Sequence, residues 1–374
     1  MIPINKPILG REEEENVLSV LRSGNLTGRV SESGMVMEFE RLFSSFLGVK
    51  YAVAVSSGTA ALHASLLAID VRPGDEVIVP SFTFSATCNV VLHVGAKPVF
   101  VDIDLDTYTM NPDEVKKTLT PKTKAIIPVH LYGHPADMKP IMEVAEEEKI
   151  YVIEDAAQAH GAEYNGVKVG GIGHLGCFSF YPTKIITTGE GGMVATNDEE
   201  LAEKIRMIRN QGERGDYVTT LLGHNWRLPE MNAAIGVAQM RRINEFLAKR
   251  RRNANRLTEL LREVKELVLP FEKGKARHAW NIYTVRLRDE RVRRDDVVSF
   301  LRKRGVGATV YYPVPVHRTK LYIERGYSNV FLPGTELASK TVFSLPVHPS
   351  MTEEDVETVA SAVKQSLGAS ALSP

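Results

Sequence analysis

A lysine set between a short aromatic strand and a glycine cluster is the first place where this chain could do chemistry. The segment reads Phe178-Ser179-Phe180-Tyr181-Pro182-Thr183-Lys184 and is followed by Gly189-Glu190-Gly191-Gly192. A buried lysine is neutral for part of the time, and a neutral amine can form an imine with an aldehyde. Clustered glycines let backbone turn sharply or approach a ligand closely. Taken alone, the lysine also has the plainer reading of a solvated surface group. A second segment, Glu154-Asp155-Ala156-Ala157-Gln158, ends a predicted buried strand on a carboxylate. Asp155 has two open readings. It is an anion that keeps a pyridine nitrogen protonated, so that the ring can take electrons from a carbanion, or it is the N-cap of a following helix. Lys184 and Asp155 together point to pyridoxal phosphate chemistry.

Such a cofactor needs a phosphate cup and a ring platform. Ser56-Ser57-Gly58-Thr59 follows a predicted strand and opens an apolar helix. A helix N-terminus offers free amide donors and the positive end of a dipole, which suit phosphate. An ordinary Ser/Thr cap is the simpler reading of that segment by itself. Ser179 could add a hydroxyl from a neighbouring strand. Phe84, in Pro80-Ser81-Phe82-Thr83-Phe84, could lie flat on a heteroaromatic ring, although phenylalanines are more often core residues. His160 is the best histidine for a polar role, since it closes the turn expected after Asp155. The histidines show no metal-ligand spacing, and neither a GxSxG nor a P-loop match occurs. Gly166-Val167-Lys168-Val169-Gly170-Gly171 reads as a hairpin turn.

Stepping outward, Val/Ile-rich runs alternate with helical patterns over residues 50–200. Strands are expected at Tyr51–Val55, Glu76–Pro80, Pro98–Asp102, Ala125–Val129, Ile150–Glu154, Gly176–Phe180 and Gly192–Thr196. Helices are expected at Thr59–Ile69, Phe84–Val94, Pro112–Thr118 and Met138–Glu148. This rhythm predicts a mostly parallel sheet covered on both faces, with ligands at the carboxyl ends of the strands. A long helix is predicted over Glu230–Glu266, since Met240, Ile243, Leu247, Ala254, Leu257, Leu261 and Val264 form one stripe. Its run Lys249-Arg250-Arg251-Arg252 lacks aromatic partners and reads as a solvated face. From Ala276 onward strands and helices alternate again: Ala279–Leu287, Arg294–Lys303, Ala308–Tyr311, Thr335–Lys340, Val342–Ser344 and Glu353–Ser366. The expected division is a large domain over 1–245, with an N-terminal arm, and a smaller C-terminal α/β domain over 246–374.

Bulk composition excludes other classes. The 374 residues are 43% hydrophobic and 25% charged, and 46 basic residues balance 46 acidic ones. That is ordinary globular composition, and it argues against a protein that works by gripping nucleic acid. The two cysteines, Cys88 and Cys177, fit a reducing compartment. The start, Met1-Ile2-Pro3-Ile4-Asn5-Lys6, lacks a signal-peptide pattern, and no window approaches the roughly 18 apolar residues of a membrane span. A soluble cytoplasmic protein is expected, with no membrane and no nucleic acid among its partners. Residues 368–374 are small and polar and read as a frayed tail.

Taken in order, the segments resemble the DegT/DnrJ/EryC1/StrS family of sugar aminotransferases, within the aspartate-aminotransferase fold (fold type I of pyridoxal phosphate enzymes). The resemblance covers nearly the whole chain. It rests on Ser23-Gly24-Asn25-Leu26-Thr27-Gly28, SSGTAAL from Ser56, PSFTFSAT from Pro80, PVHLYGHPADM from Pro128 and EDAAQAHGA from Glu154. It continues through FSFYPTK from Phe178, GEGGMV from Gly189, Asn225-Trp226-Arg227-Leu228 and Asn232-Ala233-Ala234-Ile235-Gly236.

The resemblance implies a large domain with a mostly parallel seven-stranded sheet, and a role for each matching position. Lys184 would carry the cofactor as an imine and then move a proton between Cα and the cofactor, and Asp155 would pair with the pyridine nitrogen. Phe84 would stack on the ring, and Gln158 would lie near its phenolic oxygen. Gly58, Thr59 and Ser179 would bind the phosphate. Asn225 or Arg227 would reach that phosphate from the other protomer of a homodimer. Related sugar dehydratases carry histidine in place of the lysine, so Lys184 implies transamination through the pyridoxal and pyridoxamine forms. Tyr181 stands where some members carry histidine. The implied reaction is ping-pong transfer from an amino acid, glutamate first among candidates, to a keto group on a nucleotide-linked sugar. A cyclitol or other ketone acceptor, or a regulatory protein on the same fold, is the alternative. Arg214, Lys273 and Arg318 are candidate cations for the sugar phosphates, and Tyr311, Tyr312 and Pro313 for a pocket edge.

Overall fold

The structure, a computed structural model, describes residues 1–27, 34–215 and 217–370, the last two of these as backbone only. Gly28 of the first motif therefore lies outside the described residues, as do positions 371–374 of the expected tail. Residues 368–370 are not frayed: they complete the helix Glu353–Ser370.

Nine strands belong to the first part of the chain: β1 (Tyr51–Val55), β2 (Glu76–Pro80), β3 (Lys97–Val101), β4 (Thr123–Ile126), β5 (Tyr151–Asp155), β6 (Glu163–Tyr164), β7 (Val167–Lys168), β8 (Leu175–Ser179) and β9 (Gly192–Thr196). Seven of them form one sheet in the order β1-β9-β8-β5-β4-β2-β3. β9 runs antiparallel to both neighbours, and the other contiguous pairs are parallel. Parallel pairing requires crossovers, which the helices Gly58–Ala68, Ala86–His93, Pro112–Thr118 and Met138–Glu148 supply. Both faces are thereby covered, and all five residues of β2 are buried. The helix Gly58–Ala68 is apolar all round because it lies between the sheet and outer helices, with Ala61, Leu62, Ala64 and Leu66 buried. The β6–β7 hairpin turns on Asn165 and Gly166, both at positive φ, while Val167 and Lys168, expected within the turn, are its second strand.

A second core gathers around β10 (Leu267–Val268), β11 (Ala276–Arg277), β12 (Tyr283–Leu287) and β13 (Val342–Leu345), of which β10, β12 and β13 form an antiparallel sheet. β11 instead joins the β6–β7 hairpin. The helix Glu230–Leu261 links the two cores: Ala233, Val237, Ile243 and Phe246 pack below the large sheet, whereas Ala254, Leu257 and Leu261 pack in the second core. It passes unbroken through the expected division at residue 245.

Four local expectations are corrected. The strand expected over Ala125–Val129 is Thr123–Ile126, and Val129 makes only an isolated bridge to Asp155. The strand expected from Ala279 starts at Tyr283, because Trp280 sits at φ +54° and cannot continue an extended run. Over Ala308–Tyr311 only Thr309 pairs, with Ser344. No helix follows Asp155; the chain there is a turn. Two further helices, the polar Arg11–Ser23 and the amphipathic Met35–Leu47, lie outside the expected elements and pack on the long helix, the first through Gln239 Nε2 donating to Glu13 Oε1 at 2.6 Å.

Candidate active site

A cavity of about 510 Å³ opens where β1, β2, β5 and β8 end, and Gly58, Thr59, Phe84, Asp155, Gln158, Ser179 and Lys184 all line it. Each occupies a strand's carboxyl end or the loop just beyond, where parallel sheets collect ligands.

The first helix after β1 begins at Gly58. Its cap is Ser57, whose Oγ accepts from Ala60 N at 3.1 Å, so the ordinary capping role falls to that serine. The amides of Gly58 and Thr59 are left at the cavity rim with the positive end of the helix dipole. Glycine is required at 58 because a Cβ there would lie 2.8 Å from Ser179 Cβ. Gly192 serves the same close approach, since a Cβ on it would meet Ser57 O at 2.3 Å.

Asp155 ends β5 and is 5% exposed. Thr87 Oγ1 donates to its Oδ2 at 2.8 Å, and Ala157 N donates to its Oδ1 at 3.2 Å. Burial raises the carboxyl's pKa; the Thr87 and Ala157 donors, and then the Lys184 charge, oppose the rise. Lys184 stands on a turn after β8, held by its own N–H donating to Tyr181 O at 2.9 Å and by Asn5 Nδ2 donating to Pro182 O at 2.9 Å. Burial lowers its pKa to about 8, against the pull of Asp155 in the other direction. The cavity therefore holds an amine that is partly neutral near physiological pH and a carboxylate fixed by two donors.

Gln158 is clamped from both ends. Tyr132 N donates to Oε1 at 2.8 Å and Nε2 donates to the Tyr312 hydroxyl at 3.0 Å. The backbone donor settles which end of the amide is oxygen. Phe84 presents an exposed ring, 57% accessible, with Tyr312 at a centroid distance of 6.2 Å.

The remaining expectations fall elsewhere. Asn225 is exposed and Arg227 Nη1 donates to Asn210 Oδ1 at 2.8 Å; neither lines the cavity of its own chain. His160 is fully buried against Phe178 and Phe180, and burial lowers its pKa to about 3. It is a packing residue. Lys273 pairs with Asp104 at 2.5 Å and Arg318 with Glu336 at 2.6 Å, and Arg214 borders a separate pocket, so none of the three cations reaches this cavity. Tyr311 and Tyr312 do line it, as a pocket edge would.

The model of the DegT/DnrJ/EryC1/StrS aminotransferase family matches residues 7–364. The chain belongs to this family. The GDP-perosamine synthase of Caulobacter vibrioides is 40% identical over 370 residues, spanning 98% of each chain. The UDP-N-acetyl-3-dehydro-alpha-D-glucosamine 3-aminotransferase of Acidithiobacillus ferrooxidans is 41% identical over 339 residues, 90% of this chain and 89% of that one. The PLP form of Spr1654 from Streptococcus pneumoniae superposes with a TM-score of 0.93 at 27% identity, covering 99% of both chains. This DegT/DnrJ/EryC1/StrS chain is thus a PLP-dependent aminotransferase of fold type I.

Sequence reasoning missed several residues that line the aminotransferase cavity or, like Thr87, hold a lining residue in place. Thr87 carries a signal in retrospect: it sits one turn after Thr83, and their hydroxyls are 3.0 Å apart. Asn5 and Asn281 come from segments remote in sequence and carry no local signal. Among the described residues, no helix is long and apolar enough to cross a membrane, and no three His, Cys, Asp or Glu side chains are grouped to hold a metal.

Proposed function

We propose that this aminotransferase moves an amino group from an amino acid, glutamate foremost, to the keto carbon of a nucleotide-linked sugar in two successive half-reactions. The observation that carries the reading is the pairing of Lys184 and Asp155 in one cavity below a glycine-lined helix N-terminus. The residues fit pyridoxal phosphate. The Gly58–Ser179 contact makes a cradle that a Cβ would fill, its donors are amides and a hydroxyl, and a fixed carboxylate lies deeper in. When bound, that group supplies the electron sink that makes a Cα proton removable.

The chain's own residues do the rest. Gly58, Thr59 and Ser179 would hold the phosphate, and Phe84 would cover one face of the ring. Asp155 would keep a proton on the pyridine nitrogen, since Thr87 and Ala157 fix its carboxylate in place. Lys184, with a pKa near 8, would take the Cα proton as a neutral amine and return it at the cofactor's C4′ carbon. Gln158, oriented by Tyr132 and Tyr312, would donate to the phenolic oxygen. Asn225 and Arg227 would complete the phosphate site of a second copy in a homodimer. Their position outside their own cavity, with Asn225 exposed, supports that assignment.

The test uses the cofactor-loaded protein. Glutamate should convert its visible absorption to that of the amine form while 2-oxoglutarate accumulates. A panel of GDP-, UDP- and dTDP-linked keto-sugars should then restore the original spectrum for at least one member. Restoration only by a cyclitol ketone, with none from the sugar panel, would replace this acceptor assignment.

A further inference from the structure

The charge balance around Lys184 is incomplete. Arg250, in the long helix, is 2% exposed, which corrects the solvated face expected for the run at residues 249–252. Its Nη1 donates to the carbonyls of Trp280 at 3.4 Å and Asn281 at 3.0 Å, and its Nη2 donates to Asn5 Oδ1 at 2.9 Å. Its Nε is buried without an acceptor. A buried guanidinium is normally matched by a carboxylate, because an uncompensated charge is expensive away from water. Here burial alone acts on Arg250, with no acidic side chain opposing it. A small void behind Lys184 is bordered by Arg250, Lys184 and Lys6 and by no acid. The histidines that feel Arg250, His160 and His348, have lowered pKa values and are neutral at physiological pH. Asp155 is the carboxylate nearest in function, and the proposed reaction commits it to the ring nitrogen.

The main cavity shows the complementary gap. Its charged lining residues are Asp155, Lys184 and Glu190, so among the described residues no guanidinium reaches it directly. Two lining residues connect it to Arg250, Asn5 through its side chain and Asn281 through its backbone carbonyl. Asn5 has its oxygen occupied by Arg250, so its amide nitrogen faces away, donates to Pro182 O, and keeps a second N–H. Asn281 lines the cavity, its Oδ1 is buried without a partner, and its backbone carbonyl accepts from Arg250 Nη1 at 3.0 Å. Trp280, at φ +54°, turns the chain so that its own carbonyl and that of Asn281 both meet the guanidinium. A bulky residue at positive φ is uncommon and collects at ligand clamps.

We infer that Asn5, polarised by the buried Arg250, and Asn281 beside it form the subsite for the α-carboxylate of the amino donor next to Lys184. The inference rests on the transamination reading above. Its chemistry is anion binding by two amide donors in the field of an unpaired cation, with Arg250 as a positioning residue behind them. The donor class that fits is an α-amino acid with a free α-carboxylate, as opposed to a simple amine or an α-amide.

The experiment compares L-glutamate with L-isoglutamine, its α-amide, in single-turnover half-reactions of the cofactor-loaded protein. Binding of glutarate is read independently from the shift of the visible band. Wild type should prefer glutamate strongly. In Asn281→Asp, which sets a like charge against the donor's carboxylate, that preference should fall about 30-fold; in Arg250→Met, which removes the charge behind Asn5, it should fall in the same direction, and the dissociation constant for glutarate should rise in both. Arg250→Lys, which keeps the charge, should recover part of the preference. Equal losses for both donors in all three variants, with unchanged glutarate binding, would make Arg250 a brace and overturn the subsite. A wild-type holoenzyme that reacts with no amino acid at all would instead overturn transamination itself, and the subsite with it.

Discussion

Replacing Lys184 with methionine should make the cofactor-free chain more stable, because the native fold holds this amine where its charge is disfavoured. Burial lowers the pKa from 10.5 to about 8. The native state therefore binds fewer protons than the unfolded state between those values, and stability rises with pH across that window. At pH 7 both states are mainly protonated, and the shift corresponds to about 3 kcal/mol at 1.36 kcal/mol per unit. Lys184 keeps some exposure to the cavity, so about 2 kcal/mol is the expected penalty after solvent screening. Methionine has similar length and no charge, and it should recover that amount as a rise of a few degrees in Tm at pH 7. Near pH 10 the gain should shrink below about 1 kcal/mol, since the wild-type amine is then neutral in the native state. Scanning calorimetry of both chains, stripped of cofactor, at pH 7 and pH 10 makes the comparison. A variant no more stable than wild type at pH 7, or a gain that grows with pH, would refute the reasoning.

Three further changes separate binding from folding. Phe84→Ala should leave the Tm of the cofactor-free chain within about 1 °C, because the ring is exposed, yet weaken cofactor binding about 3- to 10-fold in an absorbance titration. Gly58→Ala places a methyl 2.8 Å from Ser179 Cβ; it should cost about 1–3 kcal/mol in denaturant unfolding and sharply lower cofactor affinity. Glu154→Gln acts away from the cavity. This fully buried carboxylate accepts from His130 Nε2 at 2.9 Å and from the amides of Gly170, Ile172 and Gly173 at 2.6–2.8 Å. Its loss should cost about 2–3 kcal/mol in the same unfolding assay with little change in cofactor affinity.

How far the sequence alone reached depended on whether a signal was local. β1, β2 and β9 begin and end where their Val/Ile/Ala runs meet turn residues, and the helices Pro112–Thr118 and Met138–Glu148 match likewise. Asn111 announces the first of these helices by capping it, with Pro112 at the next position. Lys184, Asp155, Gly58 and Ser179 were legible because each sits at a strand end, where a parallel sheet brings ends together. The helix Arg11–Ser23 escaped because its four glutamates mask a weak apolar stripe, and it depends on the distant Gln239 and Ala234 O for its place. Trp280 escaped because a left-handed residue is set by its surroundings, here Arg250 and the turn from His278, and not by its own propensity. Asn5 and Asn281 meet the site through tertiary contacts spanning much of the chain, which no spacing rule encodes.

The covalent role of Lys184 is the claim on which the proposed chemistry turns. Borohydride reduction of the cofactor-loaded protein, followed by proteolysis and mass analysis, measures it directly. A phosphopyridoxyl adduct on the peptide that contains Lys184, absent from the Lys184→Met chain, is the predicted result. An adduct on another lysine, or no adduct on a protein that carries the visible band, would contradict the account.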